Sequence, residues 1–164
     1  MNLVVERSPR IKWYTDLYPF FREIESIVRS YLWLWTDIDI NTSMPVPEDD
    51  SGGIWIPGDA IFEFTTRRPQ FIWSVLSAVP TVVAEAAKAT NCIPYADGNP
   101  NLWTGSPAPQ HPNADFEIVC WDSTATLLIG ADGAIASAFG RAYPDVRSLD
   151  VANAARGADG DEIR

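Results

Sequence analysis

The fold is decided by residues 115–130, which read DFEIVCW-DS-TATLLIG. Residues 115–121 alternate between two faces, and a period of two is typical of a β-strand. The pair Asp122-Ser123 has the composition of a tight turn, and residues 124–130 form a second, returning run. Two such runs around a short turn predict a β-hairpin.

Further strands are predicted before this hairpin. A short β segment is expected at residues 3–5. Between residues 33 and 40 the side chains alternate, so that Trp33, Trp35, Asp37 and Asp39 share one face of a half-buried strand. Residues 71–79 are apolar on both sides, which favours a central strand.

Helical patterns and loops fill the rest of the chain. Apolar side chains recur at helical spacing from Leu17 to Tyr31, which predicts a helix over residues 16–31. Other helices are predicted over residues 57–64, 80–89, 132–143 and 146–155, and loops over residues 41–53 and 94–113. The sum predicts a mixed α+β fold, in which helices pack on a four- or five-stranded, mainly antiparallel sheet.

The chain has 164 residues, a length that fits one compact domain. We assign residues 1–156 to a single α+β domain and expect residues 157–164 to form a flexible C-terminal tail. The apolar stretches are shorter than the roughly 20 residues that cross a bilayer, and the N-terminus lacks a secretory pattern. A cytoplasmic location without membrane contact is therefore expected.

The chain is strongly acidic, with 22 Asp and Glu against 12 Lys and Arg and a net charge of −10. Nucleic acids are bound mainly by cations that displace counterions, so a nucleic-acid partner is not expected. The acids are also segregated, because residues 30–66 contain seven of them and residues 89–140 five, with no Lys or Arg in either stretch. Segregated charge creates a field that attracts a partner of opposite sign.

Both base-free stretches contain predicted strands that carry carboxylates and tryptophans, which predicts an acidic, Trp-edged surface. Large aromatic side chains ringed by charge are typical interface anchors. The predicted anchors are Trp35, Trp55 and Trp103. The predicted contact acids are Asp37, Asp39, Glu48, Asp49 and Asp50, followed by Asp115 and Glu117.

The sequence supports catalysis only weakly. Asp37-x-Asp39 and Asp115-x-Glu117 offer oxygen ligands of the kind that Mg²⁺ and Ca²⁺ prefer, but no Lys or Arg lies beside them in sequence. His111 is the single histidine, and Cys92 and Cys120 lack a metal-ligand spacing. We therefore expect no catalytic residue, metal or cofactor. A metal-dependent enzyme that uses the carboxylates and a non-catalytic structural or adaptor protein are the alternatives.

In style and layout, the hairpin Phe116–Ser123, the return strand Thr126–Gly130 and the helix that continues to Tyr143-Pro144 resemble the immunity proteins of bacterial polymorphic toxin systems. This resemblance implies a protein that binds a cognate toxin domain and blocks its active site. Such toxins are often nucleases or nucleotide-modifying enzymes with basic clefts. The expected partner is thus a cognate toxin domain with a basic cleft, which the acidic surface would fill in place of a polyanion.

Overall fold

The computed structural model describes residues 1–45 and 52–159, which form one seven-stranded sheet with helices. Every described strand pair is antiparallel, and the order across the sheet is β3-β2-β4-β5-β6-β1-β7. The strands are β1 (Leu3–Glu6), β2 (Tyr31–Ile40), β3 (Gly53–Pro57), β4 (Phe71–Pro80), β5 (Phe116–Trp121), β6 (Ala125–Ile129) and β7 (Arg147–Ser148).

The predicted hairpin is confirmed. Strands β5 and β6 pair from Glu117 opposite Ile129 to Trp121 opposite Ala125. Asp122 and Ser123 turn the chain with φ angles of 44° and 56°, a left-handed conformation that Asp tolerates better than most residues. The central position of β4, between β2 and β5, is also as predicted.

The prediction of four or five strands is wrong, because β3 and β7 were not expected. β3 has five residues and is bounded by Gly53 and Pro57, residue types that indicate loops and turns in a sequence. β7 has two residues, too few to show alternation. Both strands form because a neighbour supplies the hydrogen-bond ladder, namely β2 for β3 and β1 for β7.

The helices are α1 (Tyr18–Glu23), α2 (Glu25–Ser30), α3 (Gly58–Thr65), α4 (Ala84–Lys88), α5 (Gly133–Ala142) and α6 (Leu149–Asp159). The helix predicted over residues 16–31 is divided at Ile24, where φ is −123° and ψ is 30°. Gly58 opens α3 against α2, since an added Cβ would lie 2.0 Å from the Val28 carbonyl oxygen. Helix α6 continues to Asp159 and so includes residues 157–159 of the predicted tail, whereas residues 160–164 lie outside the described residues.

Both faces of the sheet are covered. On one face, here called the helix face, Trp33, Trp35 and Phe116 join a large core with side chains of α1, α2, α3 and α5. On the opposite face, called the loop face, a second core contains strand residues together with Leu102, Trp103 and Leu149. The segment 89–115, which includes the short 3-10 turn Pro100–Trp103, and helix α6 therefore cover the loop face. None of the helices described here is long and apolar enough to cross a membrane.

Candidate partner-binding surface

Two of the predicted contact acids hold the segment 89–115 on the sheet instead of facing a partner. The Asp37 carboxylate accepts hydrogen bonds from the backbone N–H groups of Ala96 and Asp97, both at 2.7 Å. A register shift between Thr36 and Asp39 and a φ of 50° at Asp37 interrupt the alternation of β2. The expectation that Asp37 presents its carboxylate to a partner is thus corrected, because that carboxylate is bound to this segment.

Glu117 binds residues 110 and 111, near the other end of the segment 89–115. Its carboxylate accepts hydrogen bonds from the Ser77 hydroxyl at 2.7 Å and from the N–H groups of Gln110 and His111 at 2.8 and 2.9 Å. Its side chain is fully buried, and burial raises its pKa, although these three hydrogen bonds oppose that shift. Glu117 cannot contact a partner in this structure, so its predicted role is also corrected.

His111 is buried beside Glu117, and its ring nitrogen Nδ1 accepts a hydrogen bond, as a neutral imidazole does. Asn113 donates its N–H to the Nδ1 atom at 3.2 Å, which leaves the ring proton on Nε2. Nε2 has no hydrogen-bond partner of good geometry in the described part of the chain, although the Ala87 carbonyl lies near it. Burial lowers the pKa of His111 below 6.5, because a buried imidazolium is poorly solvated.

Acid is expected to destabilise the fold through His111. The unfolded chain takes up the proton near pH 6.5 and the folded chain only at lower pH. The contribution of His111 is therefore complete above pH 6.5 and is lost as the pH falls through the folded pKa, at about 1.4 kcal/mol per pH unit between the two pKa values. Urea unfolding at pH 7 and pH 5.5 should show a smaller acid loss for His111→Gln than for the wild type.

Glu117 also contributes to the pH dependence of stability, and its contribution has to be separated from that of His111. Its raised pKa has the opposite sign, since a group that holds its proton more tightly in the folded state favours folding at low pH. Because both proteins keep Glu117, its contribution cancels in the difference between them. An identical pH dependence in wild type and His111→Gln would contradict this role for His111.

Asp115 lies at the opposite end of the sheet from Asp39, so the two predicted acidic pairs do not form one patch. Asp115 comes directly before β5, whose first residue Phe116 is opposite Ala78 near the C-terminal end of β4. Asp39 on β2 is opposite Trp73, near the N-terminal end of β4. The exposed Asp115 accepts a hydrogen bond from the Tyr31 hydroxyl at 2.7 Å. Burial and this contact raise the pKa of Tyr31 to about 12.

This separation removes the geometric basis of the metal-dependent alternative. The four carboxylates of Asp37, Asp39, Asp115 and Glu117 were its ligand set, and Asp115 is remote from the first two. Within residues 1–45 and 52–159, no group of three or more His, Cys, Asp or Glu side chains is arranged to hold a metal ion. Burial also raises the pKa of the Cys92 and Cys120 thiols, which favours their protonated form.

Two of the three predicted aromatic anchors are core residues. Trp35 is fully buried on the helix face, with ring centroids 5.4 Å from Phe64 and 5.6 Å from Phe71. Trp103 is 7% exposed and lies under the Arg156 guanidinium on the loop face. Both predictions are wrong because each face of the sheet has a covering layer. Trp55 is half-buried, and its ring lies 5.9 Å from that of His111.

Several other acids of the base-free stretches have partners within the chain. Arg29 donates to Asp59 at 2.7 Å and to Glu63 at 2.9 Å. The Asp132 side chain accepts from the N–H of Ile135 at the start of α5. The predicted contacts Glu48, Asp49 and Asp50 lie outside the described residues. The remaining acids of these stretches are Asp39, Asp97 and Asp122.

These three exposed acids form a group that we call the acidic rim. Asp39 on β2 is opposite Trp73 on β4, and the Ser123 N–H beside Asp122 donates to the Ile72 carbonyl. Only β4 lies between β2 and β5, so Asp39 and Asp122 are at the same end of the sheet, two strand positions apart. Asp97 is at the same end, because its N–H is bound to Asp37, two residues before Asp39. No ion pair or side-chain hydrogen bond within the described ranges involves these three carboxylates.

Aromatic side chains accompany the acidic rim. Trp73 and Trp121 are half-buried and pack edge to face with centroids 4.9 Å apart. Tyr95, two residues before Asp97, is 46% exposed, and Ile93 is 52% exposed. Of the predicted contacts, the structure therefore places Asp39 at an acidic, aromatic-lined end of the sheet. The neighbours of Asp39 differ from those that the sequence predicted.

The sequence did not predict the other residues of this surface, which are Asp97, Asp122 and Tyr95. Asp122 follows Trp121 in a hairpin turn, and because turns are exposed, that position was a usable signal. Asp97 and Tyr95 carried no such signal, because their position depends on how the segment 89–115 folds back to Asp37. No family model matches this chain, and neither a curated protein nor a solved structure matches it significantly.

Proposed function

We propose that this chain is an immunity-type protein that binds a cationic toxin domain through the acidic rim and inhibits it in the bacterial cytoplasm. The observation that carries the proposal is the grouping of Asp39, Asp97 and Asp122 beside exposed aromatic surface. The other acids of the base-free stretches that the structure describes accept hydrogen bonds within the protein. Uncompensated carboxylates at one end of a protein of charge −10 create a directed field.

The rim suits a partner whose active site binds a polyanion. Carboxylates at one end of a sheet oppose the Lys and Arg side chains of a basic cleft, and the field speeds the encounter. Tyr95 supplies the kind of aromatic side chain that contributes most at protein interfaces. The toxin would be inhibited by occlusion of its cleft, a mode of action that needs neither a metal nor a cofactor on this chain.

Co-expression tests the function directly. A toxin domain encoded beside this gene should arrest growth when expressed alone, and co-expression of this chain should restore growth. The two purified proteins should form a complex of fixed stoichiometry. A chain in which Asp39 and Asp97 are both changed to Lys should rescue less well at equal expression, whereas Glu85→Lys, an exposed reversal on α4, should rescue like the wild type. Growth arrest that persists in the presence of the wild-type chain, with no complex formed, would contradict the proposal.

A further inference from the structure

A cavity of about 350 Å³ lies at the end of the sheet where β2 ends and β4 begins, which is also the end that carries the acidic rim. It is formed by three separate segments, which are the connection before α1, the residue after β2 and the connection before β4. Its volume is within the range of sites that take small molecules, roughly 300–1,000 Å³. The lining residues are Trp13, Asp16, Asn41, Arg68, Pro69 and Gln70.

One edge of the Arg68 guanidinium is bound to Asp16, and another edge can donate hydrogen bonds to a ligand. Its Nε donates to Asp16 Oδ2 at 2.7 Å, and its Nη2 donates to the same oxygen. Asp16 is itself buried, with 8% exposure, and the Tyr18 ring lies 5.5 Å from the guanidinium carbon. Asp16 thus occupies the Nε–Nη2 edge, and the Nη1–Nη2 edge has no acceptor among the described residues. That second edge has the fork geometry that binds a carboxylate through two parallel hydrogen bonds.

The cavity also offers a flat apolar wall and amide groups. Trp13 is 52% exposed, an unusual exposure for a large aromatic side chain, with the Lys12 ammonium 5.0 Å from its ring centroid. Asn41 and Gln70 fix each other, since each backbone N–H bonds to the other residue, at 3.1 Å to the Gln70 carbonyl and at 3.0 Å to Asn41 Oδ1. The Asn41 Nδ2 group and the Gln70 side-chain amide have no partner in the part of the chain that the structure describes.

We propose that this cavity binds a small molecule that carries a carboxylate on a flat ring. Arg68 would bind the carboxylate, because Asp16 fixes its orientation without using the free edge. The Trp13 ring would stack on the ring of the ligand, as aromatic pairs do at 4.5–7 Å. Lys12 adds positive charge beside Trp13. This site is separate from the acidic rim, which has the opposite charge and contributes no residue to the lining of the cavity.

Binding of benzoate to the full chain tests the site, with benzamide as the uncharged match and acetate as the ligand without a ring. The indole N–H resonance of Trp13, assigned by its loss in Trp13→Phe, should shift saturably with benzoate. Benzamide and acetate should each bind about tenfold more weakly, since each lacks one of the two recognition elements. Arg68→Gln should weaken benzoate binding about tenfold.

Arg67→Gln is the matched control, because Arg67 is the exposed neighbour of Arg68 and does not line the cavity. It should leave benzoate binding within about twofold of the wild-type value. Arg68→Gln could fail to fold because Asp16 loses its partner. In that case two other measurements test the site: Trp13→Ala should weaken benzoate binding, and the wild type should bind benzoate more tightly than benzamide. Equal affinities for benzoate and benzamide, or equal effects of the two arginine substitutions, would overturn the proposal.

Discussion

Replacement of Glu117 with alanine is expected to lower the free energy of unfolding by about 3–5 kcal/mol. The change removes the acceptor of three hydrogen bonds, from Ser77, Gln110 and His111, in a site with no solvent exposure. The two backbone N–H groups then lack an acceptor, and an unpaired buried donor costs about 1–3 kcal/mol. Urea denaturation at pH 7 measures the loss, and hydrogen exchange at Gln110 and His111 shows whether the segment 89–115 is released.

Two further substitutions distinguish the anchoring role of Glu117 from a general effect of charge. Glu117→Gln keeps the shape and one carbonyl acceptor, so the loss should be about 1–2 kcal/mol. Glu85→Ala removes an acid whose side chain is 91% exposed and should change stability by less than about 0.5 kcal/mol. If Glu117→Ala were as stable as Glu85→Ala, the carboxylate would not be holding this segment.

Trp35→Ala should also lower the free energy of unfolding by about 3–5 kcal/mol, because it empties a fully buried site between Phe64 and Phe71. The Trp35 indole N–H also donates to the Ser74 hydroxyl, which would lose its partner. The matched control is Trp55→Ala on the neighbouring strand, where Leu34 is opposite Trp55. Trp55 is half-buried, so the loss there should be about 1–2 kcal/mol.

The comparison of these two tryptophans separates packing from partner binding. Chemical denaturation gives the stability of each variant without any partner present. Equal losses for the two variants, or a larger loss for Trp55→Ala, would show that the core of the helix face does not depend on Trp35 in the way its burial indicates.

The elements with strong local patterns were predictable from the sequence. The hairpin β5–β6 followed from alternation around Asp122-Ser123, and β4 followed from its continuous apolar run. Helix α5 followed from Asp132, whose side chain accepts from the Ile135 N–H at the N-terminus of the helix. In each case the signal lies within about fifteen residues and does not depend on distant contacts.

The candidate site was less predictable because long-range contacts decide it. Alternation assigned Trp35 to a solvent face, but the helices that cover this face come from three other parts of the chain. The same alternation failed at Asp37, where a bulge turns the side chain toward Ala96 and Asp97. Glu117 was expected to be exposed since a carboxylate is rarely buried, and its burial depends on the segment 89–115 folding over it. Asp39 was predicted as a contact, and it remains one in the proposed interface.

The acidic rim is tested most directly by the rate at which the chain associates with the proposed toxin domain, measured by stopped flow at low and high salt. Asp39→Lys and Asp97→Lys should each slow association by about tenfold at low ionic strength, and the difference should shrink near 1 M salt, where the Debye length is about 3 Å. Glu85→Lys carries the same change of charge away from the rim and should associate at a rate close to that of the wild type. Equal slowing by all three reversals, or no slowing by either rim variant, would contradict the claim that the acidic rim guides the partner.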